Sequence, residues 1–263
     1  MDYLETQNGA QPCVDVDDKL VEQQVTVVKE KNKAKYDKAT VRGPKGMWTK
    51  DVGSSSGKVY VFNGTDEDTI YEFGSVRDFI VSLGTSMGKT MKLPFPWRGS
   101  GHTVYNNPSY YVKEGKELRL IKYDMRNGSV ADSAVFPVQD HVPIYGLTPE
   151  TVIDLAADKE GLWAIYATKE TERHISLAKM DANTLDIEQM WDTSCPRENT
   201  EVAFIICGTV DMVTNDDAPL VYFPKRYGAH SSLKYNLLEQ PIYAWDDGYQ
   251  ILYKLAMKKK LEA

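Results

Sequence analysis

The residues of this 263-residue chain that could do chemistry are few, and their spacing matches no catalytic pattern. None of the four histidines lies in a metal motif such as HExxH, and no GxSxG nucleophile motif is present. The segment GTSMGK at 84–89 has a Gly-Lys pair but lacks the full GxxxxGK[ST] spacing of a phosphate loop. The sequence therefore predicts no catalytic residues and no enzyme.

The three cysteines form no CxxC pair, so a zinc site is not predicted. Their odd number allows one disulfide and one free thiol. Cys195 lies in the polar segment TSCPREN and is interpreted as an exposed thiol, either inert or able to cross-link two chains. Cys13 and Cys207 are then either a disulfide pair or two buried thiols.

Charge and hydropathy narrow the class of protein. With 31 basic and 38 acidic residues the chain has a net charge of −7, which argues against general nucleic-acid binding. No apolar run reaches the roughly 18 residues of a membrane-spanning helix. The first twelve residues are polar and acidic and lack the apolar region of a signal peptide. The chain is thus either cytosolic or a fragment whose targeting segment lies elsewhere.

Two groups of lysines could supply a binding surface on this acidic chain. In one group the lysines alternate with other residues, so that a strand would present all of them on one face: Lys29, Lys31, Lys33 and Lys35. The other group is the terminal run Lys258, Lys259 and Lys260. The alternatives are a solvated edge strand, where lysines discourage aggregation, and a site for sulfated glycosaminoglycans.

The elements that must position these residues are short strands. From KVYVFN at 58–63 to YQILYKL at 249–255, runs of five to eight residues alternate with turn-forming segments such as NNP, KEG and DDG. The connections are too short for helical crossovers, so antiparallel pairing follows. SVRDFIVSL at 75–83 has helical spacing and is predicted as a short helix. The pattern predicts an all-β sandwich, barrel or propeller.

Four blocks of sequence have a distinctive order and spacing: WRGSGHTVYNNPSYYVK (97–113), VIDLAADKEGLWAIYAT (152–168), VAFIICGT (202–209) and YNLLEQPIYAWDDGYQILYKL (235–255). These blocks resemble the olfactomedin family, most closely its photomedin branch of matrix proteins. The resemblance implies a five-bladed antiparallel β-propeller over residues 13–257, flanked by a disordered tail (1–12) and a basic tail (258–263). In such a propeller His102 is expected to line the central channel.

The resemblance also implies how the domain works. It implies a secreted, non-catalytic module that binds matrix proteins, cell-surface receptors, or glycosaminoglycans such as heparin and chondroitin sulfate. It implies a disulfide between Cys13 and Cys207, which occupy the family's paired positions. A calcium-dependent propeller hydrolase of the lactonase or esterase kind, and a matrix component that assembles through Cys195, are the alternatives. The identity of the partner and the oligomeric state of the full-length protein stay open.

The chain departs from the family pattern after GTVDMVTNDDAP (208–219), where it continues directly into LVYFPKRYG. The family has a further hairpin at this point. Pro241 also stands where a strand residue is expected, and proline cannot donate to a strand ladder. These departures predict that one blade is incomplete.

The family's central calcium site is altered too. Its ligand positions fall on Asp154, Val202, Ala203 and Lys234, of which Asp154 and the Ala203 carbonyl remain suitable. Calcium prefers six to eight hard oxygens, so the loss of two oxygen donors and the gain of an ammonium argue against it. The sequence predicts no cofactor and an ion pair between Lys234 and Asp154. Asn63 and Asn127 begin N-glycosylation sequons in predicted turns.

Overall fold

The computed structural model describes residues 24–27, 43–81, 88–171, 173–198, 200–206, 209–214, 229–236 and 238–254. The two predicted tails, both lysine groups, Cys13 and Cys207 lie outside these residues. Of the helices that the structure describes, none is long and apolar enough to cross a membrane.

Short strands account for nearly all the regular structure in the described residues. In chain order the strands are β1 (Gln24–Val27), β2 (Gly46–Lys50), β3 (Val59–Asn63), β4 (Thr69–Phe73), β5 (Lys89–Lys92), β6 (Thr103–Val104), β7 (Ser109–Lys113), β8 (Arg119–Asp124), β9 (Ser129–Val135), β10 (Ile153–Asp158), β11 (Gly161–Tyr166), β12 (His174–Met180), β13 (Ile187–Pro196), β14 (Thr200–Ile206), β15 (Thr209–Thr214), β16 (His230–Tyr235), β17 (Pro241–Asp246) and β18 (Tyr249–Lys254). The prediction of an all-β fold is confirmed.

The strands form a β-propeller. Four antiparallel sheets have four strands each, in the orders β2-β3-β4-β5, β6-β7-β8-β9, β10-β11-β12-β13 and β16-β17-β18-β1. The first strand of each sheet contacts the first strand of the next: β2 contacts β6, and β6 contacts β10. Strand β16 contacts β2, which brings the last blade back to the first. The inner strands therefore surround a common axis.

The last blade joins the two ends of the propeller. β1 pairs antiparallel with β18, with Gln24 opposite Lys254 and Val27 opposite Ile251. A strand from the start of the chain thus forms the outer edge of a sheet built from its end. This pairing opposes separation of the first and last blades, since opening the ring requires its hydrogen bonds to break.

Between the third and last complete blades, the described residues form fewer strands than in a complete blade. β14 and β15 form a two-stranded sheet among the described residues, with a bulge between Thr200 and Val202. Strand β14 contacts both β10 and β16. The sequence predicted five blades with one incomplete; the described residues form four complete blades and this hairpin.

Two local predictions can be compared with the structure. The predicted helix at 75–83 is present as α1 (Val76–Val81), and the Ser75 hydroxyl accepts a hydrogen bond from the Asp78 amide at 3.0 Å, which caps its first turn. Pro241 is the first residue of β17, a position where the missing N–H is tolerated. The proline therefore does not interrupt the last blade.

Candidate functional site at the propeller axis

A buried ion pair lies between the inner strands of two blades. Asp154 is in β10 and Lys234 is in β16, and every residue of both strands is buried. The Lys234 Nζ donates to Asp154 Oδ1 and, at 2.8 Å, to the Leu155 carbonyl oxygen. Only 2% of Asp154 and 4% of Lys234 is exposed. The predicted pairing of Lys234 with Asp154 is confirmed.

Tyr145 hydrogen-bonds the other oxygen of the Asp154 carboxylate. Its hydroxyl donates to Asp154 Oδ2 at 2.8 Å and accepts a hydrogen bond from the Ala203 amide at 3.1 Å. Both carboxylate oxygens of Asp154 are thus occupied, and β14 is linked to the pair through Ala203. Sequence reasoning missed Tyr145, because it lies in a connection between β9 and β10 that has no periodicity.

The electrostatics of the pair follow from its burial. Burial raises the pKa of Asp154, while Lys234 and the Tyr145 hydroxyl oppose the rise because they stabilise the carboxylate. The pKa of Tyr145 is raised well above its ordinary value, first by burial and then by the adjacent Asp154. Tyr145 is therefore a neutral donor to the carboxylate at physiological pH.

The residues at this position do not fit a calcium ion. The one available carboxylate, on Asp154, is already bonded to Lys234 and Tyr145, and an ammonium stands where the family places a second carboxylate. Val202, at the family's amide position, is fully buried in the apolar core. Calcium sites need several hard oxygens, usually with more than one carboxylate, and the described side chains here supply one.

His102 lies close to this pair but in an aromatic environment. Its ring centroid is 5.0 Å from that of Phe62 and 5.4 Å from that of Trp97, and the side chain is fully buried. Neither ring nitrogen has a well-aligned hydrogen-bond partner among the described residues. The pKa of His102 is lowered to about 3, first by burial and then by the positive charge of Lys234, against a weaker opposing effect of the Gly99 backbone. The imidazole is neutral and shielded from solvent.

Gly101, which precedes His102, lets the chain just before β6 approach β10 closely. A Cβ atom at Gly101 would clash with the Ile153 carbonyl oxygen and approach the Asp154 Cα. The Leu155 amide also donates to the Gly101 carbonyl at 3.1 Å. Glycine is required here because the two backbones approach too closely for any side chain.

A second polar cluster holds the last blade together, and sequence reasoning did not identify it. His230 Nδ1 lies 2.5 Å from Asp246 Oδ1, and the Tyr253 hydroxyl donates to Asp246 Oδ2 at 2.9 Å. The His230 amide donates to the Glu201 carboxylate. The cluster therefore connects β16, β17 and β18 with β14. All four side chains are buried or nearly so.

The expectation for Cys195 is wrong. The residue is fully buried and disulfide-bonded instead of being an exposed thiol. The segment TSCP ends the ten-residue strand β13, in which Thr193 and Cys195 face inward while Ser194 is exposed. The chain has only two other cysteines, Cys13 and Cys207, so a disulfide at Cys195 excludes the predicted bond between them. Both of these cysteines lie outside the described residues.

The two sequons have different surroundings. Asn127 is exposed in the turn between β8 and β9, and its Nδ2 donates to Asp124 Oδ2 at 2.6 Å. Asn63 ends β3, is half-buried, and accepts a hydrogen bond from the Gly43 amide at 3.1 Å. Glycosylation of either asparagine stays a prediction.

The fold and its central pair define a β-propeller closed around a salt-bridged axis. Residues 18–260 match the olfactomedin-like domain, and the chain belongs to this family. It is 62% identical over 300 residues to olfactomedin-like protein 3A of Danio rerio, with 100% of the chain and 77% of the relative covered. It is 45% identical over 311 residues to olfactomedin-like protein 3 of Homo sapiens, with the same coverage. The family resemblance seen in the sequence is confirmed.

These comparisons add two facts. The alignment with the Danio rerio relative spans 300 positions and the chain has 263 residues, so at least 37 positions of the relative have no counterpart here. Among solved structures, the glutaminyl cyclase of Myxococcus xanthus aligns over 81% of this chain and 75% of its own, at 10% identity and a TM-score of 0.40. That similarity is too low to transfer an activity.

Proposed function

We propose that this domain is a non-catalytic recognition module of the extracellular space. The observation that carries the proposal is the Lys234–Asp154 pair, which fills the axis with a neutralised, hydrogen-bonded contact. A buried ion pair of this kind connects elements of the fold and presents no reactive group to a substrate. Recognition then falls to the outer surfaces and loops of the propeller, as in other rigid scaffolds that carry binding loops.

The same geometry disfavours a calcium-dependent hydrolase. Such an enzyme needs a multi-oxygen metal site and an accessible base. Here both oxygens of Asp154 are engaged, and His102 is enclosed by Phe62 and Trp97. Assembly of a matrix polymer through Cys195 is disfavoured as well, because that residue is buried and already disulfide-bonded.

We further infer that β14 and β15 are the inner half of a fifth blade. Strand β14 contacts the inner strands β10 and β16 on either side, as each complete blade does. Thr214, at the end of β15, is opposite Thr200, while the His230 amide that begins β16 is bonded to Glu201. The chain thus leaves the hairpin at the end where the next blade starts. In an antiparallel sheet the chain returns to the same end after every second strand. A blade that lacks its two outer strands therefore still leads the chain to the start of the next blade.

For ligands, we propose extracellular proteins or receptors together with sulfated glycosaminoglycans. Family membership supports the first class, and the two lysine groups in the sequence support the second. Because the chain has a net charge of −7, glycosaminoglycan binding is confined to the two lysine groups and weakens as the salt concentration rises. Secretion and localisation to the extracellular matrix are part of the same proposal.

The test is a binding array of matrix proteins and sulfated glycans probed with the purified, folded domain. Reproducible binding to a defined protein or glycan supports the proposal, and binding to none opposes it. In parallel, hydrolysis of lactone and aryl-ester substrates is measured with and without calcium. Calcium-dependent turnover that disappears in Asp154→Asn would contradict a non-catalytic role.

A further inference from the structure

The Lys234 ammonium has one N–H group more than the described residues satisfy. A protonated lysine carries three N–H donors. Two of them are bonded to Asp154 Oδ1 and to the Leu155 carbonyl oxygen, and the described residues provide no third acceptor. Only 4% of Lys234 is exposed, so bulk solvent does not supply one either. A buried donor without an acceptor costs the free energy of its lost hydration.

A small cavity lies beside this ammonium on the propeller axis. Lys234 forms part of its wall, and the space open to the centre of a water molecule is about 10 Å³. One water molecule needs roughly 10–15 Å³ by this measure. Most of the remaining wall is apolar and comes from the inner strands or the residues next to them: Val52, Ala156, Phe204, Ile205 and Leu233. The cavity therefore has room for one molecule of the size of water.

Polar groups of the backbone border the same axis. Each inner strand pairs with the next strand of its sheet on one side, so alternate N–H and C=O groups on its other side face the axis. The Leu155 carbonyl, which accepts from Lys234, is one of these groups. Thr103 of β6 also lies in the wall of the cavity. A molecule that both accepts and donates hydrogen bonds suits this site.

The electrostatics of the axis favour a neutral molecule. Asp154 already balances the charge of Lys234, and most of the cavity wall is apolar. An added ion would be buried without a counter-charge, which costs far more than the burial of a neutral polar molecule. Size, hydrogen bonding and charge thus all point to water.

We propose that the axial cavity binds one ordered water molecule, which accepts the third N–H of Lys234 and donates to peptide carbonyls of the inner strands. Buried waters of this kind make about three hydrogen bonds and are costly to remove. The water is then a permanent component of the axis that links the Lys234 side chain to the backbone of other blades. This proposal is independent of whether the domain recognises an extracellular ligand.

A crystal structure of the wild-type domain, grown in sodium bromide at a resolution that shows ordered water, tests the proposal directly. The expected result is a single oxygen-sized peak at hydrogen-bonding distance from Lys234 Nζ, without anomalous scattering from bromine. A site with no peak would overturn the proposal. A peak with bromine scattering would overturn it as well, because the site would then take an anion.

Two isosteric substitutions at Ala156 test the site in solution. Ala156 lines the cavity and lies two residues after Asp154, so both side chains are on one face of β10. Ala156→Val places only methyl groups where the water is expected, whereas Ala156→Thr adds a hydroxyl that can accept from Lys234. The two side chains have nearly the same volume, so overpacking affects both variants alike.

The order of the two melting temperatures decides between a wet and a dry cavity. Ala156→Thr should melt about 2–4 °C above Ala156→Val, because only threonine replaces the lost acceptor. A dry cavity predicts the opposite order, since the threonine hydroxyl would be buried without a partner. Equal or reversed melting temperatures would therefore overturn the proposal. In a Lys234→Met background, which is the control, the advantage of threonine should disappear; if it persists, Lys234 is not the partner of the water.

Discussion

Lys234 of β16 and Asp154 of β10 form a buried ion pair across the two-stranded β14–β15 hairpin. Strand β14 contacts both β10 and β16, so the pair connects the complete blades on either side of it. Tyr145 adds β14 to the same network through the Ala203 amide. The ion pair at the axis therefore joins the third and last complete blades, between which the described residues form only the two-stranded β14–β15 sheet.

Removal of one partner of this pair should be more costly than removal of both. Lys234→Met leaves a buried carboxylate and Asp154→Leu leaves a buried ammonium, so each single change should lower the free energy of unfolding by about 3–5 kcal/mol. The double variant leaves no uncompensated charge and should lose much less than the sum of the two. Urea denaturation of all four proteins gives the coupling free energy. Additive losses would contradict a coupled ion pair.

The thermal stability of the wild type should not respond to calcium. A cation that does not bind the native state cannot stabilise it, so millimolar calcium should leave the melting temperature unchanged. Lys234→Asp removes the ammonium and adds a carboxylate opposite Asp154, and its melting temperature should rise with calcium. Lys234→Met is the matched control, because it removes the ammonium without adding an oxygen. A rise of several degrees in the wild type would mean that a calcium site is intact.

The sequence predicted the all-β propeller class, through the family resemblance, and the central pair, because both leave a signal in the order of residues. The short, mostly apolar run VIDLAAD before a turn marks a strand, and the family blocks place Asp154 and Lys234 at corresponding positions of the axis. The environment of His102 was harder to predict, since the stacking on Phe62 depends on how two blades pack. His230 and Asp246 lie opposite each other in a register with a bulge, which alternation alone does not fix.

The error at Cys195 has a different origin. TSCPREN contains polar residues, proline and asparagine, a composition typical of loops. On an outer strand one face is solvated, so polar residues such as Ser194 alternate with inward-facing ones without marking a loop. An edge strand of this kind and a polar loop have nearly the same composition.

Disulfide mapping should place Cys195 in a cross-linked peptide. A non-reduced proteolytic digest analysed by mass spectrometry should show Cys195 joined to Cys13 or Cys207, with the remaining cysteine alkylated. Because Cys195 is fully buried, reduction before unfolding should be slow. Alkylation of Cys195 in the unreduced protein, together with a Cys13–Cys207 peptide, would restore the pairing predicted from the family and contradict the structure.

Heparin binding should depend on the alternating lysines near the start of the domain. Substitution of Lys29, Lys31, Lys33 and Lys35 by glutamine should shift elution from a heparin column to lower salt, because four charges that contact sulfates are lost. Substitution of four lysines taken from the complete blades, Lys58, Lys92, Lys113 and Lys159, gives a control with the same change in net charge. Unchanged retention of the first variant would remove these lysines from the binding surface.

His102 should make the domain sensitive to acid. The pKa of its imidazole is lowered to about 3 in the folded state from an ordinary 6.5, because burial disfavours the charged form. Between these values the unfolded chain binds the proton and the folded chain does not. The stabilisation present above pH 6.5 is therefore lost as the pH falls toward 3, with a limiting slope of about 1.4 kcal/mol per pH unit.

Substitution of His102 by phenylalanine tests this assignment. A phenyl ring suits the environment formed by Phe62 and Trp97. The substitution also removes two buried ring nitrogens that lack well-aligned hydrogen-bond partners among the described residues. His102→Phe should thus unfold at a similar temperature to the wild type at pH 7 but lose less stability between pH 6.5 and pH 4. His174→Phe, at an exposed histidine, is the matched control and should follow the wild-type profile. Parallel pH profiles for His102→Phe and the wild type would show that another buried group sets the acid sensitivity.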